Sequence, residues 1–180
     1  AFHDETKVPD IAHTGWRELM DLSKVPFAYS NLTEFKNRII YYESSRGCPF
    51  SCSYCLSSID KKLRFRDIEL VKKELQFFID NKVPQVKFVD RTFNCKHDHA
   101  MEIWRYITEN DNGITNFHFE ISADLLRAEE LALMKTMRPG LIQLEIGVQS
   151  TNPQTIKAIR RTMDFEKLKR IVEQIHSFGN

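Results

Sequence analysis

The sequence predicts an α/β fold: a parallel sheet of about four βα units, arranged as an open, partial (βα) barrel behind an N-terminal extension. Three observations predict it. Short β-rich runs alternate with amphipathic helical segments from residue 38 onward. Two of those runs, residues 116–122 and 141–150, alternate apolar and polar side chains as half-buried strands do. Capping residues stand where strand period gives way to helix period, at Asp67, Asn152 and Asp164. Strands that alternate with helices in this way form parallel sheets with right-handed crossovers.

Residues 1–36 have no sustained period and are interrupted by Pro9, Gly15 and Pro26. Only residues 16–22 look briefly helical, and the stretch reads as a linker or N-terminal extension that packs on a domain filling residues 37–180. Arg38-Ile39-Ile40-Tyr41-Tyr42-Glu43 is a β-rich run leading into a cysteine loop. Asp67 caps a helix carrying Ile68, Val71, Leu75, Phe78 and Ile79, which Asn81 and Pro84 end. Gln85-Val86-Lys87-Phe88-Val89-Asp90 is the second strand, and residues 97–108 form a helix that buries Met101, Trp104 and Ile107. After the Asn110-Asp111-Asn112-Gly113 turn, residues 116–122 put Phe117, Phe119 and Ile121 on one face and His118, Glu120 and Ser122 on the other. A helix over residues 127–137 ends at Pro139-Gly140, and the fourth strand runs over residues 141–150. Pro153 opens a short helix at its first position, and a last helix carries Phe165, Leu168, Ile171, Val172 and Ile175 to Gly179. The chain's 13 phenylalanines read as core.

With 26 basic and 25 acidic residues the formal net charge is +1, which leaves no electrostatic footprint for nucleic acid or an anionic membrane. No apolar run reaches the roughly 18 residues of a membrane span. The polar start Ala1-Phe2-His3-Asp4-Glu5 lacks the apolar core of a signal peptide. The four cysteines are clustered, which suggests metal binding in a reducing, cytoplasmic setting.

In parallel sheets functional groups gather at the carboxyl ends of the strands. Cys48, Cys52 and Cys55 fall there after the first strand, Asp90-Arg91-Thr92 after the second, Ser122-Ala123-Asp124 after the third and Gln149-Ser150 after the fourth. Three soft thiolates this close share a metal when their loop turns inward, and they are one short of a closed site. An iron–sulfur cluster so held keeps one iron open. The alternatives are a non-catalytic iron–sulfur module or a structural zinc site, whose fourth ligand is Cys95, His97 or His99.

Cys48-x3-Cys52-x2-Cys55, with aromatic Tyr54 before the third cysteine, resembles the radical S-adenosylmethionine (SAM) superfamily over about residues 37–178. Leu144-Glu145-Ile146-Gly147-Val148-Gln149-Ser150 looks like the fourth strand of the branch holding oxygen-independent coproporphyrinogen oxidases, methylthiotransferases and cobalamin-dependent radical SAM proteins. Phe88-Val89-Asp90-Arg91-Thr92-Phe93-Asn94 most resembles the last group. The resemblance implies a partial barrel of the radical SAM type and an iron–sulfur oxidoreductase activity. Three thiolates hold a 4Fe–4S cluster, and its fourth iron chelates the amino and carboxylate groups of SAM. One electron breaks a carbon–sulfur bond, and the resulting 5′-deoxyadenosyl radical abstracts hydrogen from a substrate that these residues do not name. An electron donor such as flavodoxin or ferredoxin is implied, as is cobalamin in the last branch, held by a domain outside this chain.

By the same resemblance Tyr54 lies beside the adenine, Glu120 binds the ribose hydroxyls, Gln149 makes a second polar SAM contact and Arg161 pairs with the SAM carboxylate. Arg160 is the alternative to Arg161, and Glu145 reads either as a second polar group facing the barrel interior or, preferably, as a partner for a neighbouring Lys or Arg. The family's glycine-rich run after the second strand is replaced by Asp90-Arg91-Thr92, where Asp90 is the candidate for the SAM amino group. The fifth and sixth strands and any substrate region are missing, so the chain alone is expected to turn over little or nothing.

Overall fold

The computed structural model describes Gly15 and residues 17–179. Its strands are β1 (Ile40–Tyr42), β2 (Ser45–Arg46), β3 (Arg64–Phe65), β4 (Gln85–Phe88), β5 (Asn116–Ile121) and β6 (Ile142–Ile146). The α-helices are α1 (Ile68–Asp80), α2 (His97–Glu109), α3 (Ala128–Met134), α4 (Pro153–Ala158) and α5 (Phe165–Ser177). β1, β4, β5 and β6 form one parallel sheet in that order, with Tyr42 opposite Phe88, Val86 opposite Phe117 and Glu120 opposite Glu145. The four expected βα units are therefore present as an open sheet, with β1 and β6 at its edges. No described helix is long and apolar enough to cross a membrane.

The alternation read from the sequence decides which face is which. Val86, Phe88, Phe117 and Phe119 are fully buried on one face, together with Phe93, Phe78 and Trp104. Their rings stack edge to face or tilted, with Phe93 4.3 Å from Phe119 and Phe88 4.5 Å from Phe119. Each buried aromatic contributes roughly 1.5–3 kcal/mol by leaving water. Lys87, His118, Glu120 and Glu145 occupy the opposite, partly open face. Helix starts follow their caps: the Asp67 carboxylate accepts from the N–H groups of Glu69 and Leu70, Asn152 from Gln154 and Thr155, and Asp164 from Lys167.

Several boundaries differ from the sequence reading. α3 stops at Met134 rather than near residue 137, because Thr136 and Met137 turn back onto Leu133 and Met134 in tighter i→i−3 bonds of 2.9 and 3.1 Å. β6 ends at Ile146 rather than at residue 150. Beyond it Gln149 takes a left-handed φ of 67°, which no strand tolerates. Trp16 and the polar start of the chain lie outside the described residues. Residues 17–21 are not helical, and a single 3₁₀ turn, Leu22–Lys24, is capped by Asp21.

The stretch from Leu22 to Phe35 is part of the packed body. Phe27 meets Phe77 and Phe78 at 5.3 and 5.5 Å. The Tyr29 hydroxyl donates to the Tyr41 carbonyl at 2.6 Å and accepts from the Tyr41 N–H at 3.2 Å, closing the open edge of β1. Arg66 donates to the Leu22 carbonyl and, through Nε and Nη2, to buried Glu74 at 2.8 and 2.5 Å. Glu74 also accepts from the Tyr42 hydroxyl at 2.6 Å, and burial beside that carboxylate pushes the Tyr42 phenol far above its ordinary range.

Candidate active site

The cysteine loop leaves the sheet after β1 and is clamped at its base by the antiparallel pair β2–β3, which the sequence did not reveal. Gly47 has a φ of 99°, and a Cβ there would stand 2.6 Å from the Lys62 carbonyl oxygen, so only glycine fits this crossing. The Cys48 N–H donates to the Asp60 carbonyl at 2.9 Å, and the Ser53 N–H donates to the Ile159 carbonyl at 2.9 Å. The loop is thereby tied both to its own return limb and to the end of α4. Cys48 and Cys52 are buried, Cys55 is half-buried, and all three are free thiols.

A cavity of about 230 Å³ opens at the carboxyl ends of the strands, lined by Cys52, Cys55, Tyr54, Glu120, Gln149 and Arg161 among others. A neighbouring pocket of about 150 Å³ adds Cys48, Ser57 and Ser58 and shares Tyr54, Glu120 and Arg161 with it. The fold therefore gathers Tyr54, Glu120, Gln149 and Arg161 from four separate segments around the three thiols. Arg160 is exposed with a φ of 54° and lines neither space, so of these two neighbours Arg161 is the one that reaches the cavity.

The local chemistry of the wall is specific. Arg161 Nη2 donates to the Gly147 carbonyl at 2.7 Å, Nη1 lies 3.4 Å from the Tyr54 hydroxyl, and Nε is buried without a partner. A Cβ at Gly147 would meet the Gln149 amide nitrogen at 2.6 Å, so the glycine is what lets that side chain fold back. Lys87 sits 3.8 Å from Glu120 and 3.0 Å from Glu145, and His118 Nε2 is 3.1 Å from Glu145. The Lys87 hydrogen bond holds the Glu145 carboxyl below its usual range. Glu145 thus has the ion-pair role expected of it. Lys87 went unnoticed in the sequence, although its alternation with Val86 and Phe88 already placed it on this face.

Asp90 is the exception. It is fully buried, lines neither space, and accepts from the Ser44 N–H at 3.0 Å, Ser44 Oγ at 2.7 Å and Ser45 Oγ at 2.5 Å. Its carboxylate ties the end of β4 to the start of the cysteine loop, and no oxygen faces a ligand. The residues at the cavity from this turn are Arg91 and Thr92, with Thr92 Oγ1 3.9 Å from the Cys48 sulfur.

Two of the three candidate zinc ligands, His97 and His99, are engaged elsewhere. His97 lies 3.0 and 3.1 Å from Glu129 and Glu130. His99 is buried against Ser44 Oγ at 3.0 Å. Burial, reinforced by Asp90 and Cys48, pushes the Cys95 thiol up to about 11. None of the three lines the cavity. Among the described residues no three Cys, His, Asp or Glu side chains are already closed on one point. Cys52 and Cys55 line the cavity, and all three cysteines line the pocket beside it. That donor set, soft, threefold and open, fits a cluster held by three thiolates better than a closed four-ligand metal.

A profile of the Radical SAM superfamily matches residues 42–180. The chain belongs to that superfamily, whose members use a 4Fe–4S cluster and SAM. It is 24% identical over 146 residues to bacteriochlorophyllide d C-12(1)-methyltransferase of Chlorobaculum tepidum, covering 78% of this chain and 31% of that protein. It is also 24% identical over 139 residues to an uncharacterised methyltransferase of Pyrococcus horikoshii, covering 76% of this chain and 30% of the relative. The chain thus spans about a third of the length of these relatives. Among solved structures it resembles the radical SAM methyltransferase TsrM of Kitasatospora setae, determined with cobalamin and a [4Fe-4S] cluster bound. The TM-score is 0.67 at 17% identity, covering 79% of this chain and 29% of that one. These relatives are named as methyltransferases, a different reaction type from the oxidoreductase expected from the sequence.

Proposed function

We propose that this chain is the cluster- and SAM-binding portion of a radical SAM methyltransferase. The observation that carries the reading is the pair of adjoining pockets, which share Cys52, Cys55, Tyr54, Glu120 and Arg161 and add Gln149 in one and Cys48 in the other. When bound, the cluster and SAM supply one-electron chemistry at a sulfonium. The protein's own part is to hold and orient. Cys48, Cys52 and Cys55 are the cluster ligands. Tyr54 offers a half-exposed ring for the adenine, steadied by Arg161. Glu120 accepts from the ribose hydroxyls beside the Lys87 ammonium, and Gln149 adds a polar contact from its left-handed position beyond β6.

The substrate, the electron donor (a flavodoxin or ferredoxin) and the cytoplasmic setting belong to the same proposal. Cobalamin is assigned to a part of the protein outside these residues, by likeness to the TsrM complex. The test is anaerobic reconstitution with iron and sulfide followed by electron paramagnetic resonance of the reduced protein. A cluster signal that changes when SAM is added supports the reading. A cluster indifferent to SAM points to an electron-transfer module, and stoichiometric zinc after anaerobic purification points to a structural metal site.

A further inference from the structure

One cation on the cavity wall has no task in the account above. We infer that Arg91 is the carboxylate-binding fork of this cavity and that it takes the carboxylate on the amino-acid end of SAM. The inference rests on the SAM reading above and names a contact that the family resemblance assigned to Arg161.

Arg91 lines both pockets, alongside Cys52 and Cys55 in each and Cys48 in the second. The backbone around it is held on both sides. Asp90 is locked by its bonds to Ser44 and Ser45, and Thr92 Oγ1 donates to the Arg91 carbonyl at 2.8 Å. The other arginines near the cysteine loop are engaged: Arg46 with Glu43, Arg64 with Asp60, Arg66 with Glu74 and Arg161 with the Gly147 carbonyl. The Arg91 guanidinium is exposed and has no hydrogen-bond or ion-pair partner among the described residues.

The acids on the wall do not supply its counter-ion. Glu120 and Glu145 share Lys87, and Glu145 also meets His118. An unpaired guanidinium facing a cavity that lacks a free anion selects an anionic ligand group, and its planar fork fits a carboxylate through two parallel N–H bonds. Arg161 is the poorer fork. One of its arms is bonded to Gly147 and its Nε is buried away from solvent. It braces Tyr54 and the end of β6, while Arg91 has no partner among the described residues.

The experiment compares the cluster-reconstituted chain with its Arg91→Gln, Arg91→Lys and Arg161→Gln variants by calorimetric titration of two probes, SAM and decarboxylated SAM, which lacks only the carboxylate. Arg91→Gln is expected to weaken SAM about tenfold or more while leaving decarboxylated SAM unchanged within about twofold, as the loss of a charged hydrogen-bonded pair predicts. Arg91→Lys is expected to fall between, because an ammonium restores charge without the fork. Unchanged binding of the decarboxylated probe doubles as the control for folding. The assignment is overturned if Arg91→Gln weakens both probes equally or neither, or if only Arg161→Gln shows the selective loss. A wild-type chain that binds neither probe overturns the SAM reading itself, whereas SAM binding indifferent to Arg91→Gln removes this assignment alone.

Discussion

Asp90 accepts three hydrogen bonds in a fully buried position, and burial pushes its carboxyl up to about 6 despite those donors. Asp90→Ala leaves the Ser44 N–H and two hydroxyls without an acceptor. The expected loss is about 2–4 kcal/mol in urea unfolding, and a change below about 0.5 kcal/mol would refute the anchoring role. His99 donates toward the same Ser44, and burial, reinforced by Lys96, holds its ring down to about 4. A depressed histidine stabilises the fold above its ordinary pKa and loses that contribution as pH falls. The raised Asp90 works in the opposite sense, contributing more as pH falls through 6. The stability difference between wild type and His99→Phe is therefore expected to shrink by about 3 kcal/mol between pH 7 and pH 4, read from urea titrations at each pH. A pH-independent difference would show that His99 does not titrate in this window. At Gly47, the 2.6 Å approach to Lys62 predicts that Gly47→Ala costs about 1–3 kcal/mol and lowers iron uptake on reconstitution, measured as iron per chain.

The elements most legible in the sequence are those whose ends are written locally. α1, α4 and α5 begin where Asp67, Asn152 and Asp164 place a side-chain oxygen over free N–H groups, and β5 shows its pleat as strict alternation. β2 and β3 were not legible, because each is two residues long and exists only through its partner. The early segment was not legible either: Phe27 and Tyr29 carry no period, yet they close the β1 edge. Tyr29→Phe keeps the ring packing and removes both bonds to Tyr41. About 1 kcal/mol of lost stability is expected, with faster hydrogen exchange at the Tyr41 amide; unchanged exchange would argue against the edge-closing role.

For the whole molecule, the open sheet leaves its polar face and the β6 edge without a further strand among the described residues. The chain also spans about a third of its curated relatives. SAM-dependent formation of 5′-deoxyadenosine by this chain alone is accordingly expected to be little or none, and robust turnover under reducing, anaerobic conditions would contradict that. The sequence by itself determined the parallel βα order, the aromatic core and the cysteine loop, since each rests on period, capping or spacing between near neighbours. Its site candidates Tyr54, Glu120, Gln149 and Arg161 were named one by one through family likeness. Only the tertiary structure decided which of them share a cavity. It withdrew Asp90 into the interior, set Arg91 on the cavity wall, and bound Glu120 and Glu145 to Lys87 across three strands. Those outcomes depend on which backbone groups and counter-ions lie within hydrogen-bond reach once the strands are in register, and no local pattern of residues encodes that reach.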